Sequence, residues 1–400
     1  MDVSKRITEL QASPIRRLAP YAREAIERGT KVYHLNIGQP DIKTPPRVIE
    51  AIRSYEQPFI AYGASEGREE LRAALPAYYK SYGVDVKTDE ILITTGGSEA
   101  LHYTFMTLCD SGDEVIIPEP FYTNVASFAQ VVGVTLVGVT SRMEDNFALP
   151  PLSEFEAAIT ERTRAILICS PNNPTGYIYS REELEALLAI CKKHDLFLVV
   201  DEVYREFCYD GEAFVSVLAF EEYGDRVVCL DSFSKRYSMC GARVGAFVSR
   251  NKAVIASALK LGQARLCPPE IEQIAAHAAL GTDASYLVAV RHEYENRRNT
   301  IVEALKGIEG VTVSSPKGAF YLVADLPVDD AERFAIFMLR DFSLNGETVM
   351  VSPCENFYMT AGLGRTQVRI AYVLNEEDLR HAARCLKAGL AAYRSSVLGL

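Results

Sequence analysis

The segment with the clearest chemical potential is the run 231–235 (Asp-Ser-Phe-Ser-Lys), which ends an apolar stretch and continues to Arg243. The amine of Lys235 can form a Schiff base with a carbonyl compound, and the guanidinium of Arg243 can hold a phosphate. A lysine on a solvated loop is the alternative. Ser232 and Lys235 also form S-x-x-K, the nucleophile motif of β-lactamases, but the S-D-N and K-T-G tripeptides that those enzymes need are missing. The run therefore favours carbonyl chemistry over acyl transfer.

Two more segments place polar side chains directly after apolar runs. Asp201 and Tyr204 follow the run 197–200, where a carboxylate can bind a metal, a ribose hydroxyl or a protonated ring nitrogen, or can cap the next helix. The run 170–176 (Ser-Pro-Asn-Asn-Pro-Thr-Gly) can hold the Asn173 side chain at the edge of a sheet, although its composition is also that of an ordinary turn. Both segments are compatible with a ligand site.

The segment 94–101 (Thr-Thr-Gly-Gly-Ser-Glu-Ala-Leu) is a junction that leads from an apolar run into a helical pattern. Small residues at a helix N-terminus expose backbone N–H groups that cradle a phosphate. The junction is neither G-x-G-x-x-G nor a P-loop, so neither a dinucleotide nor ATP is indicated.

These segments require a sheet whose strands end at one edge. From about residue 90, short apolar runs alternate with amphipathic stretches, which predicts a mainly parallel, doubly wound α/β sheet with its ligand site at the carboxyl ends of the strands. The last runs are joined by loops instead of helices, so part of the sheet is predicted to be antiparallel. Strands are predicted at 91–94, 114–117, 135–139, 165–169, 196–200, 227–230 and 244–248, and helices at 98–109 and 181–194.

After residue 285 the pattern changes to that of a smaller α+β module. A helix at 15–28 has no partner in the sheet and is predicted to pack on this module. We therefore divide the chain into an N-terminal segment 1–45, a large domain 46–285 and a small domain 286–400. In the small domain, helices are predicted at 286–306, 330–341 and 376–393, and strands at 311–313, 320–323 and 368–371.

Composition restricts the class of protein. The 400 residues are 48% hydrophobic and 24% charged with a net charge of −11, which is typical of a soluble globular chain and argues against a nucleic-acid binder. No apolar stretch is long enough to span a membrane, and the N-terminal residues lack the apolar core of a signal sequence. The nine cysteines form no C-x-x-C pair and the six histidines are dispersed, which predicts reduced thiols, no metal site and a cytoplasmic location.

Together and in this order, the segments resemble the class I/II aminotransferases of fold type I, which depend on pyridoxal 5′-phosphate (PLP). The resemblance extends from 36–41 (Asn-Ile-Gly-Gln-Pro-Asp) to 368–371 (Val-Arg-Ile-Ala) and is nearest to the aspartate aminotransferase-like branch. It implies a large PLP-binding domain and a smaller domain formed by the C-terminal part and the N-terminal segment. It also implies a homodimer whose active sites are shared across the interface.

The resemblance gives a role to each residue around the cofactor ring. Lys235 is implied to form the Schiff base with PLP and to act later as general base. Asp201 is implied to pair with the pyridinium nitrogen, and Tyr204 and Asn173 to hydrogen-bond the 3′-oxygen. Tyr122 is implied to stack on the ring; a core aromatic is the alternative.

The cofactor phosphate is assigned to the strand–helix junction and the lysine segment. Tyr62 is implied to reach the phosphate of the neighbouring subunit, with an ordinary turn aromatic as the alternative. Within one chain, the implied phosphate ligands are the backbone of Gly97, Ser98 and Glu99, the hydroxyls of Ser232 and Ser234, and the guanidinium of Arg243.

The resemblance also implies how the substrate is bound. Arg369 is implied to grip the α-carboxylate, because its planar fork offers two parallel donors. Ile37 and Gly38 belong to a loop that closes over the substrate, and Asn173 helps to orient the carboxylate. The implied reaction moves an amino group between an L-amino acid, aspartate in the first place, and 2-oxoglutarate by a ping-pong mechanism.

Two departures bear on the choice of amino acid. Ser98 stands where some members of the branch carry a lysine, and the arginine that others supply from the partner subunit has no clear match near 262–265. We therefore hypothesise that Arg17 reads a distal carboxylate, with Arg265 as a second candidate; the alternative for each is a surface arginine or a helix salt bridge. The alternatives are an aromatic, kynurenine or alanine aminotransferase and a cysteine-S-conjugate β-lyase. A PLP-binding regulator is remote, since the residues before Gln39 are too few for a winged-helix domain.

Overall fold

The structure, a computed structural model, describes residues 2–10 and 16–399. Its strands are β1 Lys31–His34, β2 Ile91–Thr94, β3 Glu114–Glu119, β4 Thr135–Thr140, β5 Thr163–Cys169, β6 Phe197–Asp201, β7 Val227–Ser232, β8 Gly245–Val248, β9 Thr312–Val313, β10 Tyr321–Asp325, β11 Glu347–Met350, β12 Ser352–Pro353 and β13 Gln367–Ala371. Its α-helices are α1 Lys5–Thr8, α2 Ala19–Glu27, α3 Pro46–Arg53, α4 Glu69–Lys80, α5 Gly96–Leu108, α6 Asn124–Val132, α7 Leu152–Ala158, α8 Arg181–Lys193, α9 Lys252–Arg265, α10 Glu270–Leu280, α11 Ala284–Lys306, α12 Ala331–Arg340 and α13 Glu376–Tyr393. Within the described ranges, none of these helices combines the length and the apolar character needed to cross a membrane.

The central sheet has seven strands in the order β2-β8-β7-β6-β5-β3-β4. β4, β3, β5, β6 and β7 run parallel, whereas β8 is antiparallel to both β7 and β2. The mainly parallel α/β sheet with an antiparallel part, predicted from the sequence, is therefore confirmed. The arrangement brings the carboxyl ends of β2, β5, β6 and β7 to one edge, where a doubly wound sheet binds its ligand.

Helices cover both faces of this sheet. Leu198 and Val200 of β6 enter a core that they share with α4, α8 and α10, whereas Val199 enters a second core with α5 and α9. Because both faces are buried, the strands are nearly continuous runs of Ile, Leu and Val without polar alternation.

A smaller antiparallel sheet, in the order β12-β13-β10-β9, packs with α11, α12 and α13. The N-terminal part joins it, because β1 pairs in parallel with β11 and α2 packs against α12. The helix predicted at 15–28 begins at Ala19 in the structure, with Pro20 in its first turn, a position that proline favours. Residue 15 lies outside the described residues.

Candidate active site

A cavity of about 530 Å³ opens at the carboxyl edge of the central sheet and is closed on its other side by residues of the smaller sheet. The segments that follow β2, β5, β6 and β7 all reach it, as the sequence predicts for strand ends that meet at one edge. The residues singled out in the sequence that line this cavity are Ile37, Gly38, Gly97, Ser98, Tyr122, Asn173, Asp201, Tyr204, Ser232, Ser234, Lys235, Arg243 and Arg369.

Lys235 lies in the loop after β7 with its amine in the cavity. Its Nζ donates a hydrogen bond to the carbonyl oxygen of Gly38 at 2.7 Å. The loop is anchored by the buried Asp231, whose carboxylate accepts the Ser232 N–H at 2.7 Å and the Arg236 guanidinium at 2.7 Å. The amine is therefore held at a fixed position at the sheet edge.

Asp201, the last residue of β6, presents a carboxylate to the cavity. Burial raises its pKa to about 7; Asp231 and Glu202 add to the rise, whereas the Val203 N–H and Lys235 oppose it. The Val203 N–H donates to Asp201 Oδ1 at 3.1 Å. A cation placed against this carboxylate would favour its charged form, so the position suits a protonated ring nitrogen.

A chain of hydrogen bonds connects the end of β5 with β13. The hydroxyls of Tyr204 and Tyr321 lie 3.0 Å apart, and Asn173 Nδ2 donates to the Tyr204 hydroxyl at 3.5 Å. The buried Arg369 donates to Asn173 Oδ1 at 3.1 Å and to the Asn36 carbonyl oxygen at 2.6 Å. Its Nε has no hydrogen-bond partner in the described part of the chain. Arg369 thus retains donor capacity for an anion in the cavity.

Small residues, hydroxyls and one cation meet at the N-terminus of α5. The Arg243 guanidinium donates to the Thr95 carbonyl oxygen at 3.4 Å, and any side chain at Gly96 (φ 72°) would overlap that guanidinium. Glycine therefore allows the helix N-terminus and the cation to approach each other, which concentrates anion-binding groups at one place. The cavity-lining residues that surround this place are Gly97, Ser98, Ser232 and Ser234.

Comparisons with known proteins decide the family. The model of the family "aminotransferase class I and II" matches residues 30–386. The chain is a class I/II aminotransferase. The aspartate aminotransferase of Thermotoga maritima is 37% identical over 332 residues, 82% of this chain and 86% of that protein. The aspartate/prephenate aminotransferase of Thermus thermophilus is 32% identical and matches 95% of this chain and 96% of that protein. The solved alanine aminotransferase of Pyrococcus furiosus superposes with a TM-score of 0.88 at 28% identity, over 98% of this chain and 100% of that one.

Members of this family use PLP, and the donor set of the aminotransferase fits that cofactor. The junction at α5 offers a phosphate the guanidinium of Arg243, the hydroxyls of Ser232 and Ser234 and the N-terminus of the helix. Asp201 offers a ring nitrogen a carboxylate whose pKa is raised by burial. Tyr122 lines the cavity and can offer an aromatic face to the cofactor ring. Burial raises the pKa of its phenol; Tyr321 adds to the rise, and Arg369 and Arg16 oppose it. The hydroxyl, amine and aromatic side chains to which the resemblance gives cofactor roles thus line one cavity, and those roles remain predictions.

The aminotransferase does not bring Arg17 into the cavity. Its guanidinium forms an ion pair with Glu332 of α12. The Arg17 side chain is therefore engaged in the contact between the N-terminal part and α12. The neighbouring Arg16 lines the cavity instead. Arg17, to which the sequence analysis assigns a distal carboxylate, therefore lies outside the cavity.

The side chains of Glu99 and Arg265 contact each other within one chain. The Glu99 carboxylate accepts the Thr95 N–H at 2.7 Å and the Arg265 guanidinium at 2.5 Å, and neither Glu99 nor Arg265 is among the described residues that line the cavity. Arg265 is thus occupied by an ion pair. Tyr62 is 80% exposed and lies outside the cavity of its own chain.

Sequence reasoning missed Tyr321 altogether. Its hydroxyl contacts Tyr204, and its ring centroid lies 4.6 Å from the guanidinium carbon of Arg369. A side chain at Gly38 would overlap the Tyr321 hydroxyl, which gives a packing reason for that glycine. Only the fold brings β10 beside these segments, because Tyr321 belongs to a buried apolar strand with no polar motif around it.

Proposed function

We propose that this aminotransferase exchanges an amino group between an L-dicarboxylic amino acid, aspartate in the first place, and 2-oxoglutarate. The observation that carries the proposal is the charge of the cavity. Of the described residues that line it, four are cationic and one is a carboxylate, Asp201. The four cationic residues are Arg16, Lys235, Arg243 and Arg369.

Three of these cations have a use in any aminotransferase, and the fourth does not. Arg243 suits the cofactor phosphate, Arg369 suits the α-carboxylate, and the Lys235 amine suits the bond with the cofactor. Arg16 remains, and it forms no ion pair within 4 Å with any other residue that the structure describes. A cavity-lining guanidinium that forms no ion pair with the described residues is suited to a second substrate carboxylate, which a dicarboxylic amino acid supplies. The names of several relatives agree with this substrate class.

The roles that we propose for the other residues are those that the resemblance implies, and their positions around the cavity support them. When bound, PLP supplies an electron sink for the negative charge that develops on the substrate Cα. Lys235 Nζ would take the Cα proton as that charge develops, and Asp201 would keep a proton on the ring nitrogen. Arg369 and Asn173 orient the α-carboxylate so that the Cα–H bond faces the amine. The Tyr204 hydroxyl, held by Tyr321 and Asn173, donates a hydrogen bond to the ring oxygen.

The functional unit we propose is a homodimer in the cytoplasm. The segment around Tyr62 exposes large apolar side chains, with Phe59 71%, Ile60 62% and Tyr62 80% exposed. Large exposed apolar side chains concentrated in one segment are typical of a protein–protein interface, and a second copy of the chain would bury them. Tyr62 would then reach the partner's phosphate site. All nine cysteines are unpaired, which supports a reducing compartment.

Replacing Arg16 tests the substrate class. Arg16→Ala is expected to lower kcat/KM for aspartate by about 10- to 100-fold, because a charge-assisted contact to the distal carboxylate is lost. The value for alanine, which has no distal carboxylate, should change by less than about twofold. The measurement is the ratio of the two kcat/KM values with 2-oxoglutarate as acceptor.

Arg17→Ala is the matched control, since it removes the adjacent guanidinium that pairs with Glu332. It should leave the aspartate-to-alanine ratio unchanged. If Arg16→Ala also leaves the ratio unchanged, Arg16 does not read the substrate and the proposed specificity is wrong.

A further inference from the structure

We infer that Glu119 is a positioning residue for Arg369, acting through the segment 354–360. The inference rests on the proposed function in one respect, the assignment of Arg369 to the substrate α-carboxylate. Glu119 does not line the cavity among the residues described. Its effect on substrate binding is indirect and is transmitted by backbone hydrogen bonds and one aromatic ring.

Glu119 is a fully buried carboxylate at the end of β3. Its Oε2 accepts the N–H of Met359 at 2.6 Å and the N–H of Thr360 at 3.1 Å. Its Oε1 accepts the Thr140 hydroxyl at 2.8 Å. Among the described residues, these three donors are the hydrogen-bond partners of the Glu119 carboxylate. Buried carboxylates are retained only where such donors satisfy them.

The neighbouring strand leaves space for this carboxylate. Gly138 of β4 pairs with Ile117 of β3, and any side chain at Gly138 would overlap Glu119 Oε2. The Glu119 side chain therefore lies over β4 and is directed at the backbone of residues 359–360. A large-domain strand thus holds a segment that belongs to the sequence between β12 and β13.

The segment 354–360 places the Phe357 ring beside the guanidinium of Arg369. The Phe121 N–H donates to the Phe357 carbonyl oxygen at 2.9 Å, which is a second link from the end of β3 to the same segment. The Phe357 ring is buried, and its centroid lies 5.3 Å from the guanidinium carbon of Arg369. Tyr321 contacts the same guanidinium from another side at 4.6 Å. These two rings fix the plane in which the guanidinium offers its donors.

Substrate binding should therefore depend on Glu119 in a particular way. Without the carboxylate, the N–H groups of Met359 and Thr360 lose their acceptor and the segment is free to move Phe357. Arg369 then retains Asn173 and Asn36 but loses one of its two ring contacts. Every substrate carries an α-carboxylate, so the loss should be equal for all of them, whereas Lys235 and its surroundings are untouched.

The test compares three variants of β3. Glu119→Ala is expected to raise KM for aspartate and for alanine by about tenfold each, with kcat within about threefold of wild type. The Kd of 2-methylaspartate, which binds but has no Cα hydrogen to lose, should rise by the same factor in a titration of the cofactor absorbance. Glu119→Gln should restore these values to within about threefold, because its amide oxygen accepts the two N–H groups. Glu114→Ala, which removes a buried carboxylate at the other end of β3, should leave them unchanged.

Two further variants make each outcome decisive. If Glu119→Ala does not give soluble protein, Glu119→Asp serves instead, since it keeps the charge but is one methylene too short to reach residues 359–360. In a Phe357→Leu background, removal of Glu119 should add less than about twofold to KM, because both changes act on one path. An unchanged KM and Kd in the Glu119 variants, or fully additive effects with Phe357→Leu, would overturn the inference.

Arg369→Lys distinguishes the positioning role of Glu119 from the assignment of Arg369 to the substrate α-carboxylate. If Arg369→Lys raises KM and Glu119→Ala does not, the positioning inference fails and the proposed function stands. If Arg369→Lys itself leaves KM and the 2-methylaspartate Kd unchanged, the assignment of the α-carboxylate site fails.

Discussion

Replacement of Lys235 by alanine is expected to lower kcat/KM by about 10⁴-fold or more. The Lys235 amine is the group placed to bond with the cofactor and to move the proton at Cα, and a positioned general base alone contributes about 10²–10⁴-fold. Its Nζ donates to the Gly38 carbonyl oxygen at 2.7 Å, and no other lysine is among the described residues that line the cavity. The measurement is turnover with aspartate and 2-oxoglutarate, together with the visible spectrum of the bound cofactor.

The control for this variant is Lys260→Ala, which removes an exposed lysine on α9 and should leave both readouts at the wild-type level. Borohydride reduction of the wild-type protein, followed by peptide mass mapping, should attach the cofactor to the peptide that contains Lys235. Attachment to a different lysine, or turnover of Lys235→Ala within tenfold of wild type, would contradict the assignment.

The second large effect is expected at Asp201. Asp201→Asn should lower kcat/KM by about 10²–10³-fold, because a neutral amide cannot stabilise a proton on the ring nitrogen and preorganised charges are worth that much in a water-poor site. Burial raises the pKa of Asp201 to about 7, which means that its charged form is costly until a cation is placed against it. The loss is measured as kcat/KM for aspartate with the enzyme fully loaded with PLP. The absorbance of the bound cofactor reports the protonation of its ring nitrogen.

Asp195→Asn is a suitable comparison, since the Asp195 side chain is 93% exposed and pairs only with Arg226 at the surface. It should retain wild-type kinetics. Equal activity of Asp201→Asn and wild type would mean that ring-nitrogen protonation does not depend on this carboxylate.

The parts of the fold that repeat a clear pattern could be predicted from the sequence. The helix at 376–393 was predicted with the bounds that α13 has, and β2 also matches its prediction. These segments combine a strong period or a pure apolar run with a clear boundary, such as Asn375, whose side chain accepts the Asp378 N–H before α13. The pair of β1 and β11 was not predicted, because the two strands are more than 300 residues apart in the sequence and only the fold brings them together.

Some residues of the site could likewise be predicted from the sequence, and others could not. Lys235, Asp201 and Asn173 each follow an apolar strand, and a parallel sheet brings strand ends together whatever the details of packing. Arg16 and Arg17 are adjacent and identical in type, so the sequence has no means of telling which one faces the cavity. The structure distinguishes them, because Arg17 pairs with Glu332 of α12 whereas Arg16 lines the cavity. Glu119 was missed for a similar reason, because its partners at 359–360 are far away in the sequence.

The most direct test of the central claim is a half-reaction measurement on the wild-type, PLP-loaded protein. Each of the common amino acids is mixed with the enzyme without any oxo acid, and the rate of the absorbance change of the bound cofactor is recorded. Amino transfer to the cofactor with aspartate and glutamate fastest, and alanine at least about tenfold slower, is the predicted result. Fastest conversion by an aromatic or small neutral amino acid, or continuous release of pyruvate without an oxo acid, would contradict a dicarboxylate aminotransferase built on Arg16 and Arg369.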